Sequence, residues 1–252
     1  MQQSVRKYGG PVASRLWDIK LTGFERLPTG GPAILCPNHI SFLDSAFLMM
    51  AVDRNISFVG KAEYMDSWKT KYLFPAMGMI PIDRSGGNKS TAALDAAEEV
   101  LDRGELFGIF PEGTRSRDGD LYKGRTGAAR LAMKIGCPIF PVGVVGTARI
   151  QPPDAIMPKL FLSCEIKVGR AINPERYRDR GAEHIAWRSM TDEVMYEIRE
   201  LTGQNYVNRY AGAEAETEPT IEGQVGTVTD TEHRAGPDAE APKRELAAVA
   251  GN

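Results

Sequence analysis

Two short segments carry residue types that can do chemistry. Asn38-His39-Ile40-Ser41-Phe42-Leu43-Asp44 sets an imidazole five positions before a carboxylate. A carboxylate that accepts the proton on one imidazole nitrogen fixes the tautomer and leaves the other nitrogen free as a general base. Far downstream, Phe110-Pro111-Glu112-Gly113-Thr114-Arg115-Ser116 sets an acid, a glycine and an arginine on one short loop. Arg115 can clamp a phosphate in bidentate fashion, Gly113 lets backbone N–H groups approach it, and Glu112 can accept hydrogen bonds from hydroxyls. A base and a phosphate clamp are the parts for moving an acyl group onto a hydroxyl compound that bears a phosphate.

The elements around these residues decide whether the parts can meet. Ala33 to Cys36 is an apolar run after the turn Pro28 to Pro32, which reads as a buried strand closed by Pro37. Ser41, with Asp44 three residues on and an apolar run from Ala46 to Met50, has the form of a capped helix start. Ser41 is then the N-cap and Asp44 lies in the first turn, where the helix N-terminus stabilises its charge. Residues five apart inside a continuous helix point about 140° away from each other. A contact between the two therefore needs His39 outside the helix, which is where the cap leaves it. On these residues alone a second reading stays open, in which Asp44 only caps the helix and His39 is a loop histidine bonded to backbone. Leu106 to Phe110 is another strand-like run, stopped by Pro111. The 112–116 loop thus follows a strand's carboxyl end, where open α/β sheets place ligands; taken alone it also reads as an ordinary turn.

Gly78 to Arg84 is a further strand that ends in an arginine, in a position mirroring Arg115, and Lys123-Gly124-Arg125-Thr126-Gly127 opens a helix. Lys123 and Arg125 are equally well read as solvated surface charges. Periodicity predicts helices over 44–53, 90–103, 124–136 and 182–202, and strands over 33–36, 56–60, 79–83, 106–110, 139–145 and 164–168. Such alternation predicts an α/β fold: a single domain over 21–210 with a largely parallel, mixed sheet covered by helices on both faces.

Composition separates a body from a tail. From Ala211 onward the chain has no Phe, Trp or Tyr, so residues 211–252 cannot bury enough apolar surface to order themselves and are expected to be disordered. The chain carries 31 Lys+Arg and 33 Asp+Glu; nine of the acids and three of the bases lie in that tail. The body is therefore mildly basic, which suits anionic substrates and an anionic membrane surface; no nucleic-acid partner is expected. Cys36, Cys137 and Cys164 each sit in an apolar, strand-like context without metal-site spacing and read as buried thiols in a reducing compartment. Residues 1–20 lack the apolar core of a signal peptide, and no apolar run is long enough to span a bilayer. They mix Arg6, Lys7, Arg15 and Lys20 with Tyr8, Val12, Leu16 and Trp17, a pattern that fits a short interfacial helix, although Gly9, Gly10 and Pro11 argue against a long one. Trp68 to Met79 is a second interfacial candidate. Peripheral attachment at the cytoplasmic face of a membrane is the expected location.

The order of these blocks resembles the glycerolipid acyltransferase family, and within it the 1-acyl-glycerol-3-phosphate acyltransferases. The quoted blocks are Asn38 to Asp44, Gly78 to Arg84, Phe110 to Ser116 intact, and Pro138-Ile139-Phe140-Pro141-Val142, within roughly residues 20 to 175. The resemblance implies that His39, oriented by Asp44, deprotonates the sn-2 hydroxyl of lysophosphatidic acid for attack on the thioester of acyl-CoA or acyl-carrier protein. It implies that Arg84, Glu112, Gly113, Thr114 and Arg115 hold the glycerol phosphate. Neither a bound cofactor nor a metal is implied. Within the resemblance the alternative is an acyltransferase on another lysophospholipid or lipid acceptor. Outside it two readings compete: a hydrolase with Ser41 as nucleophile, which lacks the Gly-x-Ser-x-Gly elbow, and a non-catalytic lipid-binding module, which has no need of a poised base.

Overall fold

The structure is a computed structural model that describes residues 1–61, 75, 77–82, 89–153, 155, 157–179 and 181–212. Arg84, most of the Trp68–Met79 segment and the tail from residue 213 lie outside the described residues.

In chain order the elements are α1 (Gln2–Leu16), β1 (Asp18–Thr22), β2 (Ala33–Pro37), α2 (Leu43–Ala51), β3 (Ile56–Lys61), β4 (Met79–Ile82), α3 (Lys89–Asp102) and β5 (Leu106–Gly108). There follow β6 (Leu121–Tyr122), α4 (Gly127–Ile135), β7 (Ile139–Val145), α5 (Thr147–Ile150), β8 (Ser163–Val168), α6 (Glu183–Thr202) and β9 (Tyr206–Val207). Seven strands form one sheet in the order β1-β8-β7-β2-β5-β3-β4. The five from β7 to β4 are parallel to one another, whereas β8 runs antiparallel to β7 and β1 pairs parallel with β8. The expected mixed, largely parallel sheet is what the chain forms.

The sheet divides the core in two, and β2 shows why its sequence is an unbroken apolar run. Ile34 and Cys36 face a layer containing Val100 and Leu101 of α3, Leu131 and Ala132 of α4, and Val194 and Ile198 of α6. Ala33 and Leu35 face the other layer, with Phe47 and Leu48 of α2 and Ile166 and Val168 of β8. A parallel strand covered on both sides has no solvent face to mark with polar residues.

Three of the chain's departures from the sequence expectation have a clear physical cause. Helix α1 runs for 15 residues through Gly9, Gly10 and Pro11, where only a short helix was expected. Tertiary bonds override the local breakers: Gln2 exchanges hydrogen bonds with both backbone groups of Ile56, at 2.9 and 3.1 Å, and Arg6 donates to Arg54 O at 3.0 Å. Strand β1 carries little sequence signal because it is a five-residue edge strand exposed at every position but Ile19. Helix α4 starts at Gly127 rather than 124, because Lys123 N–H donates to Arg209 O and Arg125 N–H to Pro111 O.

Candidate active site

Strands β7, β2 and β5 are consecutive and parallel, so the three loops leaving their carboxyl ends meet above the same edge of the sheet. From β2 come Asn38 and His39. Asn38 is fully buried: its side chain donates to Val144 O and Gln204 Oε1, each at 2.9 Å, and accepts from Val144 N–H at 2.7 Å. This amide ties the end of β2 to β7 and to the segment after α6, so His39 leaves the sheet from a fixed point.

His39 Nδ1 lies 3.0 Å from Asp44 Oδ2. The same oxygen accepts the N–H groups of Ile40 and Ser41, both at 2.8 Å, and Oδ1 accepts the hydroxyl of Thr147 at 2.6 Å. Asp44 is completely buried, and these four donors offset its lost hydration. Its bond back to Ser41 N–H is the acid half of a capping box. Helix α2 itself begins at Leu43 with Phe42 as N-cap, one residue after the expected cap at Ser41. The Ser41 hydroxyl donates to Gln151 O at 3.0 Å and accepts from Leu43 N–H at 3.3 Å, and the residue is fully buried. Ser41 is therefore a turn residue inside the protein, not an exposed nucleophile.

The imidazole is clamped from the β5 side. Phe110 stacks on it with ring centroids 3.8 Å apart and planes 20° from parallel. Glu112 is fully buried and accepts His39 N–H on Oε1 and Tyr122 N–H on Oε2, each at 3.0 Å. Ser116 N–H closes the arrangement on His39 O at 2.8 Å. Burial pushes the Glu112 carboxyl up to about 7, against the two backbone donors that pull it down, and the nearby Asp44 and Asp118 charges add to the rise. With Nδ1 committed to Asp44, Nε2 has no hydrogen-bond partner among the described residues, and the half-buried ring lines a cleft of ≈ 660 Å³.

Gly113, Thr114 and Arg115 line this cleft, as do Arg117, Arg125 and Arg130. Gly113 has φ 78, and a side chain there would press on Arg125 Nε at 2.9 Å. The cleft also has apolar lining from Val59, Gly60, Met79, Phe107 and Ile109. The structure thus brings His39, Asp44, Gly113, Thr114 and Arg115 together, and places Glu112 behind the histidine with both oxygens engaged by backbone. Arg84 is outside the described residues. Sequence reasoning missed Thr147, Gln204, Arg117 and Arg130. Thr147 and Gln204 carry no local signal, because Thr147 reaches the site through sheet order and Gln204 through the packing of α6 on β7. Among the described residues no three His, Cys, Asp or Glu side chains converge as a metal site would require.

The site thus sets a histidine–carboxylate pair at the carboxyl edge of a parallel sheet, opening on a cleft lined by both arginines and apolar side chains. A model of the Acyltransferase family matches residues 18–145, just over half of the chain, and the chain belongs to that family. It is 31% identical over 137 residues to the chloroplastic 1-acyl-sn-glycerol-3-phosphate acyltransferase of Arabidopsis thaliana, covering 54% of this chain and 38% of that one. It is 30% identical to the 1-acyl-sn-glycerol-3-phosphate acyltransferase of Borreliella burgdorferi, covering 51% and 52%. With a probable enzyme of the same description from Mycoplasma genitalium the identity is 32%, over 62% of each chain. The chain thus spans 38% to 62% of the length of these relatives. The crystal structure of the 1-acyl-sn-glycerophosphate acyltransferase PlsC from Thermotoga maritima matches with a TM-score of 0.64 at 24% identity, over 79% of each chain, and shares the fold.

Proposed function

We propose that this protein transfers a fatty acyl group from acyl-CoA or acyl-carrier protein to the sn-2 hydroxyl of lysophosphatidic acid, giving phosphatidic acid for phospholipid synthesis. The observation that carries this reading is the His39–Asp44 pair, in a cleft lined by both arginines and apolar side chains. His39 Nε2 takes the hydroxyl proton as the oxygen attacks the thioester carbonyl. The new C–O bond forms, the C–S bond breaks, and the imidazolium returns its proton to the departing thiolate. Asp44 holds the tautomer and stabilises the transient positive charge. The sequence needs neither a covalent acyl-enzyme nor a bound cofactor.

Gly113, Thr114 and Arg115, with Arg84, hold the glycerol phosphate, because an arginine gives a phosphate charge-assisted bonds that a neutral alcohol cannot match. Glu112 serves as a positioning residue, since its oxygens are spent on His39 N–H and Tyr122 N–H. The apolar part of the cleft lining takes the acyl chain. The acceptor is a bilayer lipid, so the protein works as a peripheral protein at the cytoplasmic face of a membrane. No described helix is long and apolar enough to cross one.

The test is free-thiol release from a long-chain acyl-CoA, with and without lysophosphatidic acid, for wild type and His39→Ala. Release that requires both the acceptor and His39 is expected. Release without acceptor would mean hydrolysis, and full activity in His39→Ala would refute the base assignment. If acyl-CoA gives no release, acyl-carrier protein is the donor to supply next.

A further inference from the structure

The excursion between β7 and β8 begins at the catalytic pair and ends on the surface. Thr147 donates to Asp44, Gln151 O accepts the Ser41 hydroxyl, and Pro153 lines the cleft. A few residues further on, Met157 is 76%, Leu160 47% and Phe161 78% exposed. Phe161 has φ 59, the one positive φ outside glycine among the described residues. Bulky side chains rarely adopt that conformation. It is held there by braces to the N-terminal segment: Phe161 N–H donates to Leu16 O at 2.7 Å, the Trp17 indole to Lys159 O at 2.8 Å, and Asp18 N–H to Leu162 O at 3.1 Å. A braced, strained turn that keeps a phenylalanine in water has a use for it there.

The neighbouring surface has matching chemistry. On α1, Tyr8 is 68% and Val12 54% exposed. Lys7 and Arg15 on α1, Lys20 on β1 and Lys159 beside Phe161 are exposed as well; Asp18 is the one acid within residues 1–21 and 157–162, and Glu165 pairs opposite Lys20. Apolar tips accompanied by cations suit a layer with an apolar interior and anionic headgroups better than they suit a protein surface.

We propose that Met157, Lys159, Leu160 and Phe161, flanked by the outward face of α1, form a docking surface for an anionic lipid bilayer. This rests on the reading of the acceptor as a bilayer lipid and says which face meets the bilayer. The excursion that would insert its tip also carries Thr147, Gln151 and Pro153, so docking places the mouth of the cleft beside the layer that supplies the acceptor.

The experiment is flotation of the full chain with vesicles of phosphatidylcholine alone or mixed with phosphatidylglycerol. It compares wild type, the triple variant Met157→Ser/Leu160→Ser/Phe161→Asn, and Lys20→Glu/Lys159→Glu. Circular dichroism confirms folding, and thiol release is followed in parallel with a short-chain lysophosphatidic acid dispersed as monomers. The wild type is expected to float with the mixed vesicles. The triple variant should lose binding by at least about tenfold, while turnover of the dispersed acceptor persists. The charge variant should lose the preference for phosphatidylglycerol. Wild type that floats with neither vesicle, or a triple variant that floats as well as wild type, would overturn the docking surface. So would a wild-type dimer in sedimentation that the triple variant dissociates without vesicle binding, because the patch would then be a contact between two copies of the chain. Failure of thiol release with intact flotation would instead strike the proposed reaction and leave the docking surface standing.

Discussion

At the scale of single residues, the site depends on a buried carboxylate whose four hydrogen-bond donors come from two separate parts of the chain. Thr147 is the remote one, and its hydroxyl is the sole donor to Asp44 Oδ1 among the described contacts. Replacing it with valine keeps the shape and removes a charge-assisted bond, a loss of about 1.5–3 kcal/mol. Thr147→Val is therefore expected to lower kcat/KM by about ten- to a hundredfold and to displace the pH profile of kcat/KM. Thr147→Ser should restore both; a profile unmoved by valine would reduce Thr147 to a packing role. Glu112 gives a prediction with a definite sign. Its folded-state carboxyl is raised to about 7 from an ordinary 4.5. Between those values the unfolded chain has released the proton and the folded chain has kept it, so stability falls as pH rises through that window and levels off above it. The loss is on the order of 3 kcal/mol. Urea midpoints should show the wild type losing ground to Glu112→Gln from about pH 4.5 to 7. The variant should start lower, because one of its two backbone donors then faces an amide N–H₂ instead of an oxygen.

At the scale of elements, the site is the product of three parallel neighbours whose carboxyl ends face the same way. Loops after β2, β5 and β7 supply the base, the glycine-arginine turn and Thr147 respectively. Adjacent strand β3 contributes Val59 and Gly60 to the cleft lining. Among the described residues the nearest atoms to a Cβ at Gly60 are those of Met79, at 3.6 Å or more, an ordinary contact. At Gly108, by contrast, a Cβ would lie 2.0 Å from the Phe58 ring. Gly60→Val should therefore fold normally and fill acyl-chain space. It is expected to depress kcat/KM for long-chain donors about tenfold relative to short-chain ones, as read from a chain-length series. An equal loss across the series would place the acyl chain elsewhere.

At the scale of the molecule, one sheet separates two apolar layers that share its strands. Cys36 and Cys137 belong to one layer and Cys164 to the other, and all three are buried. Burial pushes the Cys36 thiol up strongly, Cys137 to about 12 and Cys164 to about 11, so none is a thiolate near neutral pH. If the sheet couples its two faces, a thiol reagent should find no reactive cysteine in the native protein and all three together across the urea transition. Cys164 reacting before the others would mean that the α2-side layer opens by itself.

What could be read in the chain by itself was whatever is encoded locally. Both-face burial writes β2 and β7 as unbroken apolar runs, and the Ser41–Asp44 spacing marks a helix start that leaves His39 just outside. The intact Phe110–Ser116 block sits at a strand end because Pro111 stops the strand. These features follow from backbone preference and side-chain period, which act over a few residues. The tertiary structure alone decided the rest. The length of α1 depends on Gln2 and Arg6 reaching residues 54–56, and β1 is a strand because β8 pairs with it. Glu112 turns inward because His39 N–H and Tyr122 N–H both face it. Thr147 meets Asp44, across 103 positions of sequence, only because β7 lies beside β2. A buried charge must find its donors wherever the fold brings them, and that search is three-dimensional, so no local pattern in the sequence can record its outcome.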